Sequence, residues 1–103
     1  KRDFTYIDDI IDGTIAAIEK PVLYDIFNLG NATPLDLLDF IGIIEDELGI
    51  EAQKRMLPMQ PGDVEMTAAD ITRSTQLLGF APKTSVREGI RNFLSWYREY
   101  YRV

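Results

Sequence analysis

The 103-residue sequence contains no cysteine and no histidine. Their absence excludes a disulfide framework, a cysteine nucleophile, Cys/His zinc sites and histidine acid–base catalysis. Lysine is scarce, at Lys1, Lys20, Lys54 and Lys83, and none follows a tyrosine at Tyr-x-x-x-Lys spacing. Basic residues are outnumbered, 11 against 17 acidic, which leaves a net charge of −6. Nucleic acid or an anionic membrane surface would require a basic stripe, so neither is expected as a partner. A single anionic ligand is not excluded, because one local arginine can hold a phosphate inside an acidic protein. No apolar run approaches the ~20 residues that span a bilayer, and no signal-peptide pattern opens the chain. The lack of cysteine fits a cytoplasmic location, which is the expectation. The first residue is Lys1 rather than methionine, so the chain is expected to be a piece of something longer.

What is present reads as globular: 46% of residues are hydrophobic and 27% charged. The length suits one domain, residues 1–103, with a single core. "DFTY" alternates Phe4 and Tyr6 with polar neighbours, as a short strand does. From Ile7 the pattern turns helical, with Ile7, Ile10, Ile11, Thr14, Ile15 and Ile18 on one side. Asp8, Asp9, Asp12, Glu19 and Lys20 take the other side, and Pro21 is expected to stop the helix. "YDIFNLG" has the composition of a strand, with Asn31 after Gly30. Thr33-Pro34-Leu35-Asp36 offers a cap, a proline at the first helical position and a carboxylate. A helix is expected from there to about Gly49, with an apolar arc broad enough to touch more than one layer.

"AQKRML" is expected as a third strand, ended by Pro58. Asp70 can cap a short helix through Leu78, closed by Gly79 with Phe80 folding back. Ser85-Val86-Arg87-Glu88 forms a capping box for the last helix. That helix places Val86, Ile90, Phe93, Leu94, Tyr97 and Tyr101 on one side, which is expected to be core at Phe93. Arg87, Arg91, Arg98 and Arg102 lie opposite, as a solvated face. The expected fold class is α+β, with about four helices and two or three short strands. That sheet is too small for a complete nucleotide-binding fold.

Catalysis is hard to build from these residues, since the available bases are carboxylates, lysines and tyrosines. Asp8, Asp9 and Asp12 resemble paired carboxylates, but their helical phase makes a solvated, dipole-favoured face the simpler reading. "FNLGNATP" carries one glycine where a phosphate cradle carries several. Binding chemistry has two candidate places. Arg2 precedes a strand, so its guanidinium can grip a phosphate bidentately; the plainer alternative is a frayed terminal side chain. In Gln60-Pro61-Gly62-Asp63 the Pro-Gly pair makes a tight turn, and Asp63 can accept two vicinal hydroxyls. The alternative there is an ordinary turn with Asp63 bonded to its own backbone.

Taken together, "RDFTYIDDIIDG", "YDIFNLGN" and "LPMQPGDVEMTAADITRSTQLLGFAPKTSVREGIRNFLSWY" resemble the C-terminal substrate domain of extended short-chain dehydrogenase/reductases, the nucleotide-sugar epimerases and dehydratases. "MQPGDV", Ala69-Asp70, "LLGFAPKTS" and "WYREYY" look most like the UDP-glucuronate 4-epimerase branch. The resemblance implies that Arg2 contacts the nucleotide diphosphate and that Asp63 binds the nucleotide ribose. Gln60 stands where several members carry a second phosphate-binding arginine, which puts that clamp in doubt here. The 57–71 stretch becomes a lid over the nucleotide. The family's NAD fingerprint, Tyr-x-x-x-Lys pair and catalytic Ser/Thr are absent from this sequence. The resemblance therefore implies a UDP-sugar-binding part of an NAD-dependent epimerase, with NAD and the redox step on an N-terminal Rossmann domain outside this chain. Without that domain the chain is expected to self-associate. Alternatives are a free-standing interaction module, or an acyl-carrier-like one to which "IEDELGIEA" is similar; the latter lacks the required Asp-Ser-Leu.

Overall fold

The computed structural model describes residues 1–20 and 24–103. Four helices are present among the described residues: α1 (Ile7–Glu19), α2 (Leu37–Leu48), α3 (Thr72–Leu78) and α4 (Val86–Tyr101). Helix α2 packs on α4, and α1 packs on α3. Pro21, expected to end α1, lies outside the described residues; α1 stops at Glu19, and the Lys20 amide donates to the Ala17 carbonyl.

The expected α+β class is not found. Among the described residues there is no strand, and the isolated bridge Arg2↔Leu35 is the sole ladder pairing assigned. The physical reason is the lack of neighbours. A strand needs a second backbone to complete its ladder, and the segments read as strands at 24–30 and 52–57 run extended without one. Tyr24 and Ile26 are exposed, as are Met56 and Leu57. Residues 3–6 fare differently. Their predecessor Arg2 exchanges both backbone bonds with Leu35, at 3.0 and 2.9 Å.

That bridge also explains why α2 begins late. Thr33-Pro34 was a sound helix start on local grounds, yet Leu35 is held extended against Arg2. The helix therefore opens at Leu37, after Asp36. Other local signals held. The Ser85 hydroxyl accepts the Glu88 amide at 3.1 Å, one half of a capping box. Asp70, expected as the cap of α3, stands one residue before the capping position, which is Ile71, though its carboxylate accepts the Thr72 amide at 3.0 Å. Gly79 sits in the left-handed region at φ 68°, and the Phe80 amide returns to the Ser74 carbonyl. A left-handed residue closing the helix this way is where glycine has no Cβ penalty.

The packing contradicts the helical-wheel expectation for α1. Ile7, Ile11, Ile15 and Ile18 are exposed, whereas Asp9 and Gly13 are buried. Gly13 sits so close to Leu29 and Phe80 that a Cβ would come within 2.7–2.9 Å of their side chains. Asp9, read as part of a solvated face, is 2% exposed and accepts from the Thr84 amide at 3.0 Å and its hydroxyl at 3.3 Å. Buried carboxylates persist when donors meet them. Asp12 lies 3.8 Å from Lys83, away from that pair.

Arg87 and Arg91 of α4 also have partners. Arg91 forks onto Glu47 at 3.1 and 3.0 Å, and Arg87 reaches Glu47 and Asp46 at 3.3 and 3.2 Å. The face read as solvated is exposed at all four arginines, and two of them also make ion pairs that link α4 to α2. Phe93, expected in the core, is 52% exposed. It begins a run of aromatic contacts through Trp96 and Tyr97 to Tyr100 and Tyr101. Phe4 stacks on Phe40 at 3.8 Å, and near them an apolar cleft of ≈ 470 Å³ opens between α2 and α4.

Among the described residues the buried hydrophobic side chains are Phe80 and Ile90. Total accessible surface is 8,024 Å², where a free monomer of this mass exposes about 5,900 Å². The Cα radius of gyration is 16.4 Å, against about 13 Å for a compact domain of this length. Much apolar surface is presented outward instead of being buried within the chain.

Candidate functional site

The site is built where three chain segments run side by side. Residues 1–3 lie between Leu35 and the 65–67 stretch. On one edge Arg2 exchanges its amide and carbonyl with Leu35. On the other, Lys1 nitrogen donates to the Glu65 carbonyl at 2.8 Å and the Thr67 amide donates to the Lys1 carbonyl at 3.1 Å. The Asp3 amide adds a bond to the Thr67 hydroxyl at 3.1 Å. Arg2 is therefore not a frayed residue. Its backbone is clamped from both sides, so its side chain leaves in a fixed direction.

The guanidinium of Arg2 donates to the Lys1 carbonyl at 2.9 Å and to the Asp63 carboxylate at 2.9 Å, a partner 61 residues along the chain. Both side chains keep substantial solvent exposure. An ion pair of that kind contributes little to stability, about 0–1 kcal/mol. What it does is bring a cation and a carboxylate from distant segments to one point. The Asp63 oxygen facing Arg2 also accepts the Val64 amide at 2.9 Å.

Asp63 is presented by the expected turn. Its amide donates to the Gln60 carbonyl at 3.1 Å, and Gly62 has φ 83°. Proline second and a positive-φ glycine third are the requirements of a type II turn. Gln60 thus joins the site through its backbone, while its side chain is exposed. Residues 51–68 are exposed throughout, so the turn rides on a long surface segment tied down near Glu65 and Thr67. Neither Arg2 nor Asp63 lines the apolar cleft between α2 and α4.

The sequence reading missed Asp3. One of its carboxylate oxygens accepts the amides of Ala69 at 2.8 Å and Ala32 at 3.0 Å; the other accepts the Thr33 amide at 3.4 Å. Thr5 supports the same corner, its hydroxyl accepting the Asn31 amide at 3.0 Å. The available signal was a carboxylate beside Phe4 in a stretch read as strand, where a charge needs donors. This corner also answers whether "FNLGNATP" cradles a cofactor phosphate. A Cβ on Gly30 would stand 2.5 Å from Ala69 Cβ and 3.0 Å from the Asp3 carboxylate, and the amides of Ala32 and Thr33 already point at Asp3. The amides of Asn31, Ala32 and Thr33 are thus already taken up by Thr5 and Asp3, which leaves them unavailable to a pyrophosphate.

Nearby, Arg73 forks onto Asp25 at 3.1 and 2.6 Å. The Arg73 guanidinium, helped by the Ile26 amide, holds the Asp25 carboxyl below the usual carboxylate range. The Ser74 hydroxyl, fully buried, donates to the Asn28 carbonyl. These bonds hold the extended 24–30 segment on α3 in place of a β-ladder.

No family model matches the chain. Over 99 residues it is 50% identical to an uncharacterised protein of Methanocaldococcus jannaschii, covering 96% of this chain and 30% of that protein. It is 41% identical over 99 residues to a UDP-glucuronate 4-epimerase of Thermodesulfobacterium geofontis, covering 95% of this chain and 30% of the relative. Among solved structures it superposes with TM-score 0.90 and 35% identity on a UDP-glucuronic acid 4-epimerase from Bacillus cereus in complex with UDP-glucuronic acid and NAD. That match covers 96% of this chain and 32% of the other. These matches support the resemblance, read from the motifs, to the C-terminal region of extended short-chain dehydrogenase/reductase epimerases. Within that family it is similar to UDP-glucuronate 4-epimerases, and it spans about a third of the length of the curated relatives it matches.

Proposed function

We propose that this chain is the nucleotide-sugar-gripping part of an NAD-dependent UDP-sugar 4-epimerase of the UDP-glucuronate 4-epimerase type. The observation that carries the reading is the meeting of Arg2 and Asp63 at 2.9 Å from segments 61 residues apart. A guanidinium suits a diphosphate and a carboxylate suits a vicinal diol, and a UDP moiety presents both. In this reading Arg2 holds the diphosphate, Asp63 the ribose hydroxyls, and Gln60 lends an amide at the rim of the turn. NAD and hydride transfer belong to a Rossmann half outside these 103 residues. The outward apolar faces of α1 and α4 support that division, since they present surface for another body to cover. A cytoplasmic setting goes with the same reading. By itself the chain is expected to bind UDP weakly, because half the pocket wall is missing.

The test is made in the full-length polypeptide. Arg2→Ala and Asp63→Asn should each raise KM for the UDP-sugar about 10- to 100-fold, the value of a charge-assisted contact of roughly 1.5–3 kcal/mol. Unchanged KM in both variants would reject the assignment. Equal losses of melting temperature in the two would instead mark the pair as structural.

A further inference from the structure

We propose that Asp3 is a positioning residue for the nucleotide grip, acting on ligand affinity through Arg2 and the 60–69 segment without touching the ligand itself. This rests on the assignment of Arg2 and Asp63 to a nucleotide diphosphate. Three observations carry it. First, the Asp3 carboxylate gathers amides from two loops, Ala32 and Thr33 on one and Ala69 on the other. Second, Ala32 is held at φ 57°, a left-handed conformation unfavourable to a residue with a Cβ, and its amide is one of those Asp3 accepts. Such a conformation is disfavoured for a residue with a side chain and persists where surrounding bonds dictate it. Third, Gly30 is packed so tightly against the carboxylate and Ala69 that the corner has no slack.

Asp3 is covalently next to Arg2, and alternation along an extended segment sends their side chains to opposite faces. One residue is thus set to face the ligand while the next anchors the backbone behind it. The Ala69 bond, with the Asp3 amide on Thr67, fixes the end of the exposed segment that carries Asp63. Losing the carboxylate would loosen the two loops that flank the Arg2–Asp63 pair while leaving the backbone bonds of Arg2 in place. That predicts a loss of affinity larger than its distance from the ligand would suggest, and one that depends on Arg2 being present.

The experiment is calorimetric titration of UDP into the full-length protein carrying Asp3→Ala, Asp3→Asn, Arg2→Ala and the Arg2/Asp3 double alanine. Asp3→Ala should weaken UDP binding about tenfold, the scale of lost bonds to a charged acceptor. Asp3→Asn should recover most of that, since its amide oxygen can keep the Ala32 and Ala69 bonds. The double variant should bind scarcely worse than Arg2→Ala, because coupled residues do not add. Additive losses, or an Asp3→Ala affinity equal to the parent's, would overturn the inference. If Arg2→Ala itself binds UDP normally, the fault lies with the functional assignment. Should Asp3→Ala fail to fold, Gly30→Ala serves, since its Cβ drives Ala69 and Asp3 apart. An unchanged UDP affinity in a folded Gly30→Ala would equally reject the role.

Discussion

Replacing Ile11 and Ile15 with glutamate should turn an associating chain into a monomer. Ile7, Ile11, Ile15 and Ile18 form one stripe along α1, and all four are exposed, Ile11 and Ile15 each at 48%. The chain shows 8,024 Å² of surface, about 2,100 Å² beyond that of a free monomer of its mass. A standard stable interface takes about 800 Å² from each partner, so the surplus suffices for self-pairing with area to spare. The wild-type chain is therefore expected to be dimeric or larger at about 10 µM. Two buried isoleucines exchanged for carboxylates at the centre of such an interface should cost at least about 2–4 kcal/mol, or roughly 30- to 1,000-fold in affinity. Because neither side chain is buried within the chain, helix content should survive. Sedimentation velocity read against circular dichroism separates the two effects. A wild-type chain sedimenting as a monomer up to about 200 µM would refute the reasoning. So would association undiminished in the double variant.

Asp9→Ala removes a buried acceptor and leaves the Thr84 amide and hydroxyl without it; a loss of about 1–3 kcal/mol is expected in urea denaturation, and neutrality would deny Asp9 its anchoring part. Gly13→Ala and Gly42→Ala should have opposite signs. The first forces a Cβ against Leu29 and Phe80, while the second meets nothing within 4 Å, so about 1–3 kcal/mol of overpacking loss contrasts with a gain of about 0.5–1 kcal/mol. Acid should destabilise the fold in a narrow range. Arg91 lowers the Glu47 pKa and Arg73 lowers that of Asp25. A carboxyl depressed on folding adds stability above its unfolded value, about 4, and that contribution is lost as pH falls through the still lower folded value. With no histidine to titrate, melting temperature should be flat from pH 7 to 5 and drop below about 4. Glu47→Gln should flatten that acid limb, and a break between pH 5 and 7 would contradict the assignment.

The amino-acid order alone determined what depends on a few neighbouring residues. The Ser85 cap, the Gly79 stop, the Pro61-Gly62 turn and the existence of four helices each follow from side chains within one turn of the feature. Motif order was equally legible, which is why the family could be read before any packing was known. Packing decided the rest. A β-like composition at 24–30 shows that a pleated surface would suit the segment, but a ladder depends on a second backbone at the right distance. The helical wheel of α1 separated isoleucines from aspartates without saying which side meets α3. Gly13 and Asp9 won because helices approach closely over glycine and because Thr84 supplies donors to a buried carboxylate. Asp3 was overlooked for the same reason: its three amide partners lie 29 to 66 residues away. Contacts over such separations come from the folded chain's geometry, which local pattern does not encode.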